Sequence, residues 1–309
     1  MTTPVRLVAF AAVLAAVLAA GLGLGNAVGP VGETGTEPAH ASSDDAADAA
    51  QPGGAAPDGH GATADGHDDG DDAAHAGPAA RTISGLAVSE DGYTLRPSAT
   101  TLPVGTSPFG FTVTGPDDAP LTRYDTTHER DLHLIVVRRD GAGFQHLHPE
   151  MTADGTWQLP LTLDQPGAYR VYADFAPAGL SARTLAADLL VPGDVAVQPW
   201  PEPATTTAVD GYQVRLDGHL DAGQQTDLAF SVTRDGGPVE LEPYLGALGH
   251  LVVLREGDLG YLHVHADGDE LTFAATAPSS GDYRLYLQFQ VDGVVHTADL
   301  TTAADGGHA

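Results

Sequence analysis

The chain repeats itself, and a unit present twice has to be a fold that one copy of about a hundred residues can complete. Asp91-Gly92-Tyr93 recurs as Asp210-Gly211-Tyr212, and Phe111-Thr112-Val113 returns at the same offset as Phe230-Ser231-Val232. His133-Leu134-Ile135-Val136-Val137-Arg138 is answered by His250-Leu251-Val252-Val253-Leu254-Arg255. Thirteen residues after each leading histidine comes an H-x-H, His146-Leu147-His148 and His263-Val264-His265. An aromatic, Phe144 or Tyr261, stands two residues ahead of it. Downstream, Gly167–Phe175 matches Gly281–Phe289, and Ala187-Asp188-Leu189 matches Ala298-Asp299-Leu300. Blocks in unchanged order with nearly constant offsets indicate duplication.

Within a copy, apolar residues alternate over Phe111–Val113, His133–Arg138, Trp157–Leu163, Tyr169–Phe175 and Leu185–Val191, with Gly, Pro and Asp between them. Short, regularly spaced strands without a helical period predict an all-β fold, two tandem immunoglobulin-like β-sandwich repeats. An up-and-down barrel or a jelly roll is the structural alternative. The first repeat is placed at 81–194 and the second at 204–303, joined by a semi-rigid proline-rich linker, Pro192–Pro203.

The first eighty residues read differently. Arg6 precedes an uncharged apolar run from Leu7 to Leu24, and no further charge appears before Glu33. A cation ahead of an apolar segment predicts export, with residues 1–28 an apolar helix that serves as a cleaved signal peptide or as a membrane anchor. Either way the acidic bulk lies outside the cytoplasm, secreted or membrane-anchored. Residues 29–80 form an acidic, histidine-containing linker without the apolar content to offset the entropy of folding, so disorder is expected. Its histidines, His40, His60, His67 and His75, suit loose metal binding or simple solvation.

Composition removes whole classes of function. A net charge of −29 excludes a nucleic-acid partner, which requires a basic face. All thirteen basic residues are Arg. Cysteine is absent, which removes disulfides, thiolate zinc sites, iron–sulfur clusters and blue copper. No nucleophile–base motif stands out, and the chain reads as a non-enzyme.

The repeated histidines carry the remaining chemistry. Arg139–Gly143 is a hairpin connection by its Asp-Gly and Gly content. If residue numbers across that hairpin sum to 281, His133 faces His148 and Ile135 faces His146, which puts His133, His146 and His148 on one sheet face. The second copy has the same spacing, which places His250, His263 and His265 alike unless a bulge intervenes. Three neutral imidazoles suit Cu(II) or Zn(II). Asp131, Glu150, Asp174 and Asp267 are candidate supporting carboxylates, and Met151 lies near His148. Structural histidines at a sandwich edge are the competing explanation. His128, His219, His296 and His308 lack mates in the other repeat and receive no role.

The segments His133–Arg138 and Phe144-Gln145-His146-Leu147-His148-Pro149, with Tyr172-Ala173-Asp174-Phe175, resemble exported bacterial two-repeat β-sandwich proteins associated with heavy-metal, particularly copper, resistance, in the style of YtkA-like domains. The resemblance spans most of residues 85–303 and implies an extracytoplasmic metal-handling accessory working beside a membrane metal transporter or envelope protein. The second copy departs from it, with Ala266 in place of Pro149 and Tyr261 in place of Phe144. A metal-free interaction module of the cell envelope is the alternative.

If the tail is independent of the repeats, limited proteolysis trims the chain to a fragment beginning near Arg81 whose thermal unfolding matches that of the whole protein. A large loss of stability on removing residues 29–80 would show instead that the tail packs on the repeats.

Overall fold

Each repeat opens with a hairpin that its Asp-Gly dipeptide dictates. Asp91 and Gly92 have φ of 50° and 81°, and Asp210 and Gly211 have 50° and 84°. Two successive left-handed residues give the turn whose twist matches antiparallel strands. It joins Ser89–Glu90 to Tyr93–Pro97, and Thr206–Val209 to Tyr212–Asp217. The computed structural model describes residues 83–306 apart from 263 and 267–269. The N-terminal apolar run, the acidic tract and the tail histidines, with His263, Asp267 and His308, lie outside the described residues.

Both repeats are sandwiches of two sheets. In the first, one sheet is ordered Ser89–Glu90, Tyr93–Pro97, Gly105–Thr114, Thr156–Leu163, Glu150–Met151. The other runs Arg183–Val191, Gly167–Pro177, Leu132–Arg138, Gln145–Leu147. The second repeat has the same plan. Thr206–Val209, Tyr212–Asp217, Gln225–Arg234, Thr272–Thr276 and His265–Ala266 form one sheet; Val294–Asp305, Gly281–Val291, Gly249–Arg255 and Tyr261–Leu262 form the core of the other. Each strand expected from alternation in the first repeat is present and longer than its sequence signature. Among the described residues no helix is long and apolar enough to cross a membrane.

Strand Leu132–Arg138 explains how the repeats meet. It does not alternate: all seven of its residues are buried. Leu132, Leu134 and Val136 enter the core of their own sandwich beside Phe111, Trp157 and Phe175. Ile135 and Val137 point the other way, into a second cluster with Tyr172, Val252, Leu254, Tyr261 and Tyr286. A strand covered on both faces needs a continuous apolar run, which is what Leu134–Val137 supplies. Gly249–Arg255 answers from the second repeat: Leu251 and Val253 face its own core, Val252 and Leu254 the shared cluster. Both repeats fall in one compact unit.

The contacts across this interface are reciprocal. The Tyr172 hydroxyl donates to the Leu259 carbonyl at 2.7 Å, and its repeat mate Tyr286 donates to the Gly141 carbonyl at 2.6 Å. Phe144 stacks on Tyr286 with ring centroids 4.1 Å apart, while Tyr261, the mate of Phe144, lies 5.5 Å from Tyr172. Equivalent residues contacting each other in both directions is the geometry of a two-fold interface, here closed within one chain. Tyr172 and Tyr286 each supply apolar area and satisfy their hydroxyl on the opposite repeat. The linker is pinned as well. The Gln198 amide donates to Asp140 at 2.8 Å, the Ala204 amide to the Thr301 carbonyl at 2.9 Å, and Trp200 packs on the shared cluster.

Tyr286→Ala should therefore cost about 3 kcal/mol of stability, the low end for deleting a buried aromatic. Tyr286→Phe, which keeps the ring and orphans the Gly141 carbonyl, should cost about 1 kcal/mol. Urea denaturation measures both. A loss well under 1 kcal/mol for the alanine variant would mean the sheets do not pack this way in solution.

Candidate metal centre at the repeat interface

His133 lies near the start of Leu132–Arg138, and the hairpin through Gly141 and Gly143, both with positive φ, returns the chain along Gln145–Leu147. The pairs Leu134↔Leu147, Ile135↔His146 and Val136↔Gln145 fix the register at a sum of 281. That parity sends His133, His146 and His148 to one face. One ring nitrogen from each lies within 4.8 Å of the others. Ring centroids are 5.1 Å apart for His133 and His146, 5.2 Å for His133 and His148, and 4.9 Å for His146 and His148. Three imidazoles bound tetrahedrally at ~2.0–2.1 Å per nitrogen have centroids about 5 Å apart, so the spacing fits a zinc-sized ion.

Counting protons sharpens the point. His133 Nε2 is 3.0 Å from the Thr127 carbonyl oxygen, which can only accept, so this nitrogen carries the hydrogen. His146 Nδ1 is 2.6 Å from Gln288 Oε1, while the Gln288 amide nitrogen donates to Thr297. With the amide in that orientation, His146 Nδ1 also carries its hydrogen. Two neutral rings have then used both their protons. His133 Nδ1 and His146 Nε2 nevertheless face each other at 2.9 Å, lone pair against lone pair. Nearby, His148 Nε2 is buried without a hydrogen-bond partner. Backbone or side-chain acceptors that fix the tautomer and aim the free nitrogen inward are the usual outer support of histidine metal ligands.

A proton between His133 and His146 would also resolve the conflict, but burial opposes it. Loss of hydration, reinforced by the His133 ring, pushes His146 well below the ordinary histidine range. Burial likewise lowers His133 and brings His148 to about 4, with His133 and Arg130 adding to the effect at His148. The Arg130 charge also disfavours a bound cation. His250 is held at about 4 by burial and by His128 and His133. The rings are thus neutral and ligand-ready near neutral pH.

His250 bonds within its own repeat, to the Tyr244 carbonyl, and its ring also reaches the interface. The register Val253↔Leu262 and Leu254↔Tyr261 sums to 515, the value that would set His250 opposite His265. The chain instead leaves that sheet, and His265–Ala266 pairs with Thr272–Thr276 in the other one. His263 and the His265 side chain lie outside the described residues. The His250 ring sits 5.9 Å from His146 and 6.3 Å from His133, across the interface. His128, His133, His146, Asp174, His250 and Tyr261 help line a cavity of about 80 Å³ between the two inner sheets.

Two neighbours of the histidine cluster, His128 and Gln288, carry no repeat signal that singles them out. His128, 5.0 Å from His250, had no repeat mate because Leu245 occupies the matching place. The turn itself does recur: Thr127 bridges Arg130 and Tyr244 bridges Ala247, with positive φ at His128, Glu129, Leu245 and Gly246. Its first carbonyl accepts from His133 in one repeat and from His250, at 3.1 Å, in the other. Gln288 is the mate of Asp174; each lies opposite the leading histidine of its repeat. Among the proposed carboxylates, Asp174 lines the cavity and accepts from Thr184 at 2.9 Å, whereas Asp131 and Glu150 are exposed. Met151 packs on the first core. His219 pairs with Asp221 on the surface, and buried His296 donates to Asp210 beneath Tyr212.

No curated protein matches the chain. Among solved structures, similar ones include the Ig1-2 module of a Drosophila receptor protein tyrosine phosphatase, at 9% identity and TM-score 0.20, with 70% of this chain and 99% of that one covered. Fibronectin(III)-like modules of Clostridium thermocellum CbhA match at 9% and 0.21, covering 69% and 95%. Domains 5-6 of the S-layer protein SbsC match at 12% and 0.21, covering 70% and 98%. At these TM-scores the likenesses carry no argument of their own. The family match does, because it finds the duplication independently and divides the chain where the two sandwiches divide. With residues 87–192 and again 207–306 matching it, this chain belongs to the family described as Domain of unknown function (DUF8832).

Proposed function

We propose that this protein is an extracytoplasmic accessory that binds and hands on a divalent transition metal, Cu(II) or Zn(II), and that it is not an enzyme. The carrying observation is the pair of inward lone pairs on His133 Nδ1 and His146 Nε2, 2.9 Å apart and beside the unpartnered Nε2 of His148. Desolvation withholds a proton from this place, whereas a metal ion satisfies all three nitrogens. Three protein ligands leave a coordination position for water or for a ligand from a partner, which suits transfer better than permanent structural binding. The apolar run Leu7–Leu24 supports export, and a membrane metal transporter or another envelope protein is the partner such a carrier would serve. His250, with His263 and His265, is the matching set proposed for the second repeat.

Titration calorimetry of untagged protein with Cu(II) and Zn(II) tests this. His146→Ala with His148→Ala should abolish binding at the first repeat's site, and Gln288→Ala, which frees the His146 ring, should weaken it about 10–100-fold. The pH dependence separates this buried site from exposed histidines. A free imidazole loses its ligand nitrogen below about 6.5. Here the folded values are depressed, so affinity should persist well below pH 6.5 and fail as pH approaches 4. By linkage the same rings bind protons in the unfolded chain first, so the metal-free protein should be fully stabilised above about 6.5 and lose stability as pH falls toward 4. Unchanged affinity in the double variant would make these histidines structural and favour the metal-free interaction module.

A further inference from the structure

We propose that the cavity between the sandwiches holds a second transition-metal ion, bound jointly by His128 of the first repeat and His250 of the second. This rests on the histidine reading above and extends it, since His128 belongs to neither repeated set and joins His250 on the ion proposed for the second repeat.

The two rings are 5.0 Å apart and mutually perpendicular, a separation at which one ion can bridge two imidazoles. The nitrogen that His250 offers is fixed by its other side. Its Nε2 donates to the Tyr244 carbonyl at 3.1 Å, which leaves Nδ1 with the lone pair, as the Thr127 carbonyl does for His133. His128 is presented by a turn in which it and Glu129 both take left-handed backbone conformations, φ 48° and 60°. Histidine is among the side chains that tolerate this region, and the matching turn of the second repeat takes the same shape with Leu245-Gly246, so the imidazole is what the first repeat adds to a shared turn.

Two nearby dications repel one another, so a second ion needs compensating charge. Asp174 is the carboxylate on the cavity wall, and it stands opposite His133 in the ladder with Leu132–Arg138. Borderline divalent ions, copper or zinc, suit imidazole ligands, with water completing the shell and Asp174 supplying charge nearby. The 80 Å³ of space is enough for an ion with a remaining water or two. Because one ligand comes from each repeat, the second ion forms only while the inner sheets are docked.

The test is metal content of the full chain after loading with Cu(II) or Zn(II) and equilibrating against excess glycine, which strips loosely held ions. The parent should keep two ions, and His128→Gly should keep one. Glycine suits the left-handed turn, so this variant removes the ligand without burdening the fold. His250→Ala should likewise keep one, with the remaining ion lost on adding His146→Ala and His148→Ala. If the parent and His128→Gly both keep two ions with equal affinity, His128 is not a ligand and the inference fails while the three-histidine reading stands. A parent that keeps one ion, sensitive only to His146 and His148, has the same meaning. A parent that keeps none overturns both.

Discussion

Strand Leu132–Arg138 is buried on both faces, and the rest of the molecule follows from that constraint. One face completes a sandwich core; the other must be covered by something outside it. The second repeat supplies the cover with the equivalent strand, Gly249–Arg255, and the two sheets lock through Tyr172 and Tyr286. His133 and His250 are the second residues of these same strands. Covering the apolar ends of these strands therefore also carries their histidines into a shared, desolvated space. The interface that stabilises the tandem is the interface that builds the site.

That coupling accounts for the electrostatics. Alone, either sandwich would expose its histidines to water, where their protonation near pH 6.5 would compete with any metal. Docking removes the water, depresses the rings, and supplies Gln288 from the second repeat to orient His146 of the first. Duplication provided two copies of one carbonyl-oriented histidine, His133 on Thr127 and His250 on Tyr244. Divergence between the copies then placed His128 in one and Leu245 in the other, which makes the pseudo-symmetric interface chemically lopsided.

Much of this was legible in the chain because it is written locally. The Asp-Gly turns, the strand alternation and the 281 register all depend on residues close in sequence, and the hairpin parity alone gathers His133, His146 and His148. What escaped is what the interface decides. Tyr172 and Tyr286 could be read as repeat markers, but not as residues whose hydroxyls reach across to the other repeat. Identical spacing in the second repeat does not disclose that His265–Ala266 pairs with Thr272–Thr276 in the other sheet, nor that the His250 ring lies close to the rings of the first repeat. His128 was passed over because its turn is duplicated in conformation and not in sequence. A recurring backbone shape leaves no residue identity to match.

The metal-handling proposal requires an ion, and not a proton, between His133 and His146. Anomalous diffraction from crystals soaked in zinc, recorded at the zinc edge, addresses it directly. A bound ion gives a peak ~2.0–2.1 Å from His133 Nδ1, His146 Nε2 and His148 Nε2, with the first two nitrogens spread beyond their 2.9 Å separation. Nitrogens still 2.9 Å apart, with no anomalous density between them in metal-soaked crystals, would contradict it.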